Sequence, residues 1–285
     1  NVAVDELPPD ADLAVISVGV ASGEGADRPT MALPDEDVQR IRDVARRCRR
    51  QGTPSVVVLN VCAPVEMAAW VEDVDAVLLA WMAGMEVGHA VADVLSGDVC
   101  PSGKLPLTIP RRYKDTPAFL NFPGEFGEVV YGEGIFVGYR YYDTADVAPL
   151  YEFGYGLSYT RFEMHDLALS TDELDLDDGA GLTASVEVTN TGGCAGKEVV
   201  QMYLQHLDSP VRMPERQLKG FAKVPLEAGQ TQTVRFELPA EALGYYDGRE
   251  QAWRVEPGRF RVLVGSSSRD IRATAAFRAV RAGSA

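Results

Sequence analysis

DLAVISVGV, residues 12–20, is the stretch that decides the fold of the first half of the chain. Its apolar residues follow one another with almost no alternation, which is typical of a strand buried on both faces. Strands of this kind occur in parallel sheets that are covered by helices. We therefore predict a buried strand over residues 12–20, with helical crossovers after it.

Strands and helices alternate from this stretch to Gly97. A helix is predicted from about Asp35 to Gly52, because an apolar stripe runs along it, acidic residues begin it and arginines end it. The other runs predict two strands, SVVVLNV (55–61) and VDAVLLAWM (74–82), and two helices, PVEMAAWV (64–71) and MEVGHAVADVL (85–95). This order predicts an α/β sandwich with a mostly parallel sheet over residues 1–110.

The pattern changes at residue 158, where short alternating segments punctuated by Gly, Pro, Asn and Asp begin. Such segments predict an all-β sandwich of the immunoglobulin or fibronectin III-like type over residues 158–285. Between the two, residues 111–157 form an aromatic-rich linker that is too long for an ordinary loop. Its rings either pack between two domains or line a sugar-binding site. Packing between domains is favoured, because buried aromatics supply contact area.

Composition excludes several classes of partner. The chain has 285 residues and a net charge of −15, so nucleic acid and anionic membrane surfaces are disfavoured, because both require a basic footprint. The cysteines, Cys48, Cys62, Cys100 and Cys194, show neither metal-ligand nor CxxC spacing and are predicted to be buried free thiols rather than disulfides or a metal site. The chain begins with Asn1 rather than Met, and we expect it to be a piece of something larger.

A candidate site lies in SGEGADRPT, residues 22–30, where Glu24 stands between two glycines directly after the first predicted strand. Loops at the carboxyl ends of parallel strands are where ligands bind in such sheets, and a carboxylate there can donate or accept a proton. The alternative is a solvated turn whose Asp27–Arg28 pair caps the next segment. A phosphate cradle is disfavoured, because the loop is acidic and lacks a Walker lysine.

A series of motifs extends this pattern along the chain. SGEGADR (22–28) is followed by GDVCPSGKLPLTIPRR (97–112), YGEGIFVGYRYYD (131–143), YEFGYGLSYTRFE (151–163) and, further on, EPGRFRVLVGSSSRDIR (256–272). In this order the set closely resembles the C-terminal part of glycoside hydrolase family 3, the β-glucosidase family. The resemblance runs from about Asp12 to Arg272.

The resemblance implies an architecture of three domains, a TIM-like barrel, an α/β sandwich and a fibronectin III-like domain. This chain resembles most of the second domain, incomplete at its N-terminal side, followed by the third. The family's nucleophilic aspartate lies on the barrel, and no segment here resembles the motif that carries it. The resemblance therefore implies a partner, a barrel domain or chain that supplies the nucleophile.

The resemblance also implies roles for the candidate residues. Glu24 matches the general acid/base of a retaining exo-β-glycosidase, and Asp27 and Arg28 match a pair that is expected to shape its loop. No cofactor and no metal are implied, and the substrate is a glycoside or oligosaccharide. A β-glucosidase is favoured over a β-xylosidase or arabinosidase, and a non-catalytic carbohydrate-binding or scaffolding fragment is the alternative from another class.

Several properties are left open. No substrate-binding residue is assigned, and His89 is expected to be an ordinary surface or packing residue on its helix. A homo-oligomer is neither favoured nor excluded. The compartment is undetermined, with a lean toward a secreted bacterial protein.

Overall fold

The computed structural model describes residues 8, 10–22, 25 and 28–281, and the chain divides into two units. The first unit consists of Asn1–Val99 and Ile109–Phe119, and the second of Cys100–Thr108 and Leu120–Ala285. The domain boundaries expected near residues 110 and 157 remain predictions.

The first unit is built on a three-stranded parallel sheet. Its strands are β1 (Ala14–Gly19), β2 (Ser55–Asn60) and β3 (Ala76–Leu79), in the spatial order β1-β2-β3. The helix α1 (Asp35–Gln51) connects β1 to β2, and α2 (Val87–Ser96) follows β3. Strand β2 is central and buried from Ser55 to Leu59, as its continuous apolar run predicts. The α/β prediction for this half of the chain is confirmed.

Helix α1 has the ends that the sequence predicts. Three acidic residues occupy its first turn, arginines occupy its last, and Gly52 ends it in the left-handed conformation with φ 75°. Its apolar stripe buries Ile41, Ala45 and Cys48. Full burial of a side chain such as Ile41 contributes about 1.5–3 kcal/mol. Among the described residues, no helix is both long and apolar enough to cross a membrane.

Arginines of α1 also bind the helix to the elements beside it. The guanidinium of Arg40 donates to the carbonyl oxygen of Ser17 in β1 at 3.2 Å. That of Arg49 donates to the carbonyl oxygen of Asp73 at 3.1 Å. Asp75, just before β3, accepts hydrogen bonds from the backbone N–H and the hydroxyl of Ser55, and these bonds lower the pKa of its carboxyl group. The helix and the strand ends are thereby fixed by polar contacts as well as by packing.

The prediction that the first strand is buried on both faces is wrong. Burial alternates along β1, with Ala14, Ile16 and Val18 buried and Val15 49% exposed. Helix α1 packs against β1, so the buried residues are those of the single face that is covered. Strand β3 and helix α2 likewise contain no fully buried residue.

The prediction of a short helix over residues 64–71 is also wrong. A single 3-10 turn, Val71–Asp73, is the helical element there. Glu66 instead forms a parallel bridge with Ala32, and its backbone N–H donates to the carbonyl oxygen of Met31 at 2.9 Å. Pairing with a distant segment uses the backbone groups that a helix would need.

The second unit is a β-sandwich. Its strands are β4 (Phe162–Leu169), β5 (Glu173–Asp175), β6 (Leu182–Asn190), β7 (Gly196–His206), β8 (Gln217–Leu226), β9 (Thr231–Leu238), β10 (Tyr245–Asp247), β11 (Ala252–Arg254), β12 (Gly258–Gly265) and β13 (Ile271–Val280). One sheet has five strands in the order β5-β13-β12-β7-β8, and the other has three in the order β4-β6-β9. A two-stranded ribbon of β10 and β11 is separate from both.

The core of the sandwich is apolar. Val186 of one sheet and Val200, Met202, Phe260 and Val262 of the other are fully buried in a single cluster. Burial alternates strictly along β6, as expected of a strand with one face on a core. The prediction of an all-β, fibronectin III-like sandwich is confirmed.

A short helix from the aromatic-rich segment, α3 (Tyr139–Thr144), is anchored within the second unit. The Tyr139 ring packs on Phe153 and Tyr203, with centroids 4.9 and 5.8 Å away. Burial raises the pKa of Asp143, which is held by the guanidinium of Arg269 at 2.7 Å. These rings anchor their segment. Phe126 and Tyr131 in the same segment are exposed, so their role stays open.

Exposed apolar side chains of the first unit lead to a testable prediction. Met82 and Met85, in the loop after β3, are 76% and 99% exposed. Clustered exposed apolar groups bind hydrophobic dyes such as ANS. The double variant Met82→Gln/Met85→Gln should lower ANS fluorescence and change the free energy of unfolding by less than about 0.5 kcal/mol, as surface substitutions usually do.

The control is Phe221→Ser, which removes an exposed ring from the second unit. It should lower ANS fluorescence less than the double methionine variant. Wild-type protein that does not bind ANS at all would contradict the prediction.

Candidate functional site

The carboxyl ends of β1, β2 and β3 lie at one edge of the sheet, because all pairs are parallel. Gly19 pairs with Asn60, and the backbone N–H of Ala80 donates to the carbonyl oxygen of Leu59 at 2.9 Å. Three loops therefore leave the sheet at the same edge, and the loop after β1 contains SGEGADRPT. In open parallel sheets this edge is where ligands bind.

Two of the three predicted site residues, Glu24 and Asp27, lie outside the described residues. Gly25 between them is exposed and has φ 76°, a left-handed conformation that favours glycine. No atom of the described residues lies within 4 Å of the position that a Cβ on Gly25 would take, so the need for glycine is conformational rather than steric. This conformation accounts for at least one of the two glycines that flank Glu24.

Arg28, the third predicted residue, fastens the end of the loop. Its guanidinium donates to the carbonyl oxygen of Ala32 at 2.7 Å, four residues further along. The backbone N–H of Ala32 donates in turn to the Thr30 hydroxyl at 3.1 Å. Arg28 therefore makes a contact within its own loop, as expected of a residue that shapes it.

Glu66 joins this loop end to the segment after β2. Its backbone pairs with Met31 and Ala32, and its carboxylate accepts a hydrogen bond from the backbone N–H of Tyr113. One residue thus connects three segments of the first unit. Sequence reasoning missed this residue because it predicted a helix over the segment. The available signal was an acidic side chain following Pro64 directly after a buried strand.

The loop after β3 brings further features to the same edge. Trp81 has φ 53°, a value that is rare for a residue with a bulky side chain. Such conformations cluster at functional sites, although they do not identify a function by themselves. His89, on α2, is exposed, as expected of a surface residue.

One cluster of potential metal ligands lies far along the sequence, in the second unit. Donor atoms of His165, Asp166 and Glu187 lie within 4.8 Å of one another. The imidazole nitrogens of His165 are already in hydrogen-bond contact with Asp166, at 2.9 Å, and with Thr189, at 3.1 Å. Asp166 is 78% exposed, so the cluster resembles a solvated surface group. The expectation that no metal is required stays a prediction.

Comparison with known proteins identifies the class to which this architecture belongs. The model of the glycosyl hydrolase family 3 C-terminal domain matches residues 2–159, and that of a fibronectin type III-like domain matches residues 198–268. The first match covers more than half of the chain. The chain belongs to glycosyl hydrolase family 3.

Individual relatives support the same assignment. The chain is 47% identical to thermostable β-glucosidase B of Acetivibrio thermocellus over 92% of its length. It is 44% identical to a β-glucosidase of Kluyveromyces marxianus over 96% of its length. These matches span 34% and 32% of the two relatives, so the chain corresponds to about a third of each.

A solved structure shares the fold over almost the whole chain. β-Glucosidase 3B of Thermotoga neapolitana, determined in complex with α-D-glucose, superposes with a TM-score of 0.90 at 44% identity. The match covers 96% of this chain and 38% of that one. The predicted resemblance to the C-terminal part of this family is confirmed.

The position of Glu66 predicts a specific loss of stability. Glu66→Ala leaves the Tyr113 N–H without its acceptor and should lower the free energy of unfolding by about 1–3 kcal/mol. Glu66→Gln keeps a carbonyl acceptor and should lose less. Urea unfolding followed by tryptophan fluorescence in a Trp253→Phe background reports on the first unit, because Trp70 and Trp81 lie there.

The matched control is Glu72→Ala, which removes an exposed glutamate from the same unit. If Glu66→Ala and Glu72→Ala unfold at the same urea concentration, Glu66 does not fasten the loop.

Proposed function

We propose that this chain supplies the general acid/base, Glu24, of a retaining exo-β-glycosidase that hydrolyses terminal, non-reducing β-D-glucosyl residues. The nucleophilic aspartate lies on a barrel domain or chain outside the 285 residues. The observation that carries the proposal is the match of nearly the whole chain to proteins named β-glucosidases, at 42–47% identity.

The position of Glu24 in the chain supports its role. It follows β1 by a few residues, at the carboxyl edge of a parallel sheet, where functional groups are expected. Its loop is fastened beyond Arg28 by the contacts to Ala32 and Glu66. Catalysis requires a group held near the reacting atoms, and a loop with a fastened end is suited to carry such a group.

In the proposed reaction, Glu24 first acts as an acid. It protonates the departing glycosidic oxygen while the aspartate attacks the anomeric carbon, so the bond to the aglycone breaks as the glycosyl-enzyme bond forms. The carboxylate that remains then takes a proton from water, which attacks the same carbon and releases the sugar with retained configuration. Glu24 ends the cycle protonated, and no cofactor is consumed.

Asp27 and Arg28 shape the loop in this proposal and do not react. Arg28 supports this assignment because its guanidinium is used in the contact to Ala32. An arginine keeps its charge at neutral pH and is a poor proton donor. The relatives are named β-glucosidases, which favours glucosides over xylosides or arabinosides as substrates.

The sharpest test replaces Glu24 in a protein in which this chain is combined with the proposed barrel. Glu24→Ala should lower turnover of cellobiose by about 10²–10⁴-fold, because the poor leaving group needs a proton. Dinitrophenyl β-glucoside should still form the glycosyl-enzyme, which accumulates because no base activates water. Azide should restore turnover of this substrate and yield β-glucosyl azide, and the alkaline limb of the pH profile should flatten.

The control variant is Asp27→Asn, which alters the loop without removing the proposed acid. It should slow both substrates alike and show no rescue by azide. The isolated 285-residue chain should show no Glu24-dependent turnover, because it lacks the nucleophile. If Glu24→Ala slows both substrates equally and yields no β-azide, another carboxylate is the acid/base.

A further inference from the structure

The second unit contains an open groove of about 620 Å³. Its lining comes from four parts of that unit, namely Lys104, the segment 152–163, the strand region 191–198 and the turn 266–272. Pockets that hold small molecules usually measure about 300–1,000 Å³. The groove has a suitable size, so its chemistry decides what it could bind.

A buried ion pair fixes one part of the groove. The Lys104 ammonium lies 2.9 Å from Glu198 Oε1, and the side chains are only 12% and 8% exposed. Lys104 also donates to the carbonyl oxygen of Gly156 at 2.8 Å, and Glu198 accepts the backbone N–H of Val199 at 2.7 Å. Because both charges are held by additional hydrogen bonds, this part of the groove is rigid and does not need a ligand for its stability.

A second pair, Asp270 and Arg272, lies in the same lining. Burial works against the charged Asp270 carboxyl group, but hydrogen bonds from Arg272 and Ser266 outweigh it and lower its pKa. The Arg272 Nε donates to Asp270 at 2.6 Å. Beside this pair, the Ser267 hydroxyl donates to Glu152 Oε1 at 2.8 Å. Donors and acceptors are therefore charged and held in fixed positions along the groove.

Part of this hydrogen-bonding capacity is unused. Among the described residues, the exposed guanidinium of Arg161 makes no hydrogen bond or ion pair, and Glu152 accepts through only one of its two oxygens. A free donor and a free acceptor therefore remain in the lining. A ligand that fits them has to accept from a guanidinium and donate to a carboxylate.

The balance of charge selects the class of ligand. The lining holds four carboxylates, Glu152, Glu163, Glu198 and Asp270, against three cations, Lys104, Arg161 and Arg272. An anion such as phosphate would meet a slight excess of negative charge, and two of the cations are already paired. A neutral molecule whose hydroxyls both donate and accept can use both kinds of free group without burying a new charge.

Apolar groups in the lining are suited to the same class. Tyr155 is held by stacking on Tyr151, with ring centroids 5.0 Å apart, and Leu157 is 72% exposed. A sugar ring combines hydroxyls at its edge with apolar C–H faces, so it can contact both parts of such a lining.

We propose that this groove is a binding site for a neutral polyhydroxylated ligand, such as a pyranose ring. The site requires neither Glu24 nor a nucleophile, so it goes beyond the proposed function and does not depend on it. Arg161 donates to ligand hydroxyls, and Glu152 accepts from them.

The test measures binding of cellobiose and of methyl β-D-glucoside to the full 285-residue chain by saturation-transfer NMR titration. Wild-type protein should show saturable binding. Glu152→Gln, which keeps the size of the side chain, and Arg161→Gln, which removes the guanidinium, should each weaken it about tenfold, the loss expected for a hydrogen bond to a charged group. The matched controls Glu241→Gln and Arg235→Gln lie outside the lining, are exposed, and should bind as wild type.

Two further measurements keep the outcome clear. In wild-type protein, cellobiose should slow amide hydrogen exchange in the segments 152–163 and 266–272, which tests the site even if a variant fails to fold. Glu24→Gln should leave this binding unchanged. Absence of saturable binding, equal binding by Glu152→Gln, Arg161→Gln and wild type, or loss of binding only in Glu24→Gln would each overturn the proposal.

Discussion

The parallel pairing of β1 with β2 is the constraint on which the first unit depends. Ala14 pairs with Ser55 and Gly19 with Asn60, and this register directs Ala14, Ile16 and Val18 to the covered face. A slip of one residue would direct Val15 and Ser17 there instead, because side chains alternate along a strand. The parallel direction of the strands also determines the edge at which the loop after β1 leaves the sheet.

The loop after β1 is fastened at its end and contains a glycine in a left-handed conformation. Arg28 and Glu66 fix the segment around Ala32, while Gly25 has φ 76°, a conformation that other residues avoid. In the second unit, by contrast, charged groups such as Lys104 and Glu198 are held in ion pairs.

Much of the fold could be predicted because its signals are local. The charged turns of α1, the glycine that ends it and the continuous apolar run of β2 all act within a few residues. Features that depend on distant partners could not be predicted. The burial of β1 depends on which face another element covers, and Glu66 pairs with a segment more than thirty residues earlier. Strand β13, rich in Ala, has too little hydrophobic contrast to be predicted from its sequence.

In the candidate site, too, features with a local sequence signal could be predicted and features that depend on distant partners could not. The order of motifs was sufficient to predict the family. The role of Arg28 in shaping the loop stays a prediction, and its guanidinium contacts Ala32. Glu66 and the groove of the second unit were missed, because Lys104 and Glu198 are far apart in sequence and meet only in the folded chain. Sequence motifs identify residues with shared local patterns, whereas ion pairs of this kind have no local signature.

One measurement tests most directly the proposal that Glu24 is the general acid/base. It is the distance between the Glu24 carboxyl group and the proposed nucleophilic aspartate in a crystal structure, with a trapped glycosyl-enzyme, of a protein in which this chain is combined with the proposed barrel. A retaining glycosidase requires the two carboxyl groups to be about 5–5.5 Å apart, one on each side of the bond that is cleaved. A separation of about 6.5–9.5 Å, or a Glu24 side chain directed away from the sugar, would contradict the account.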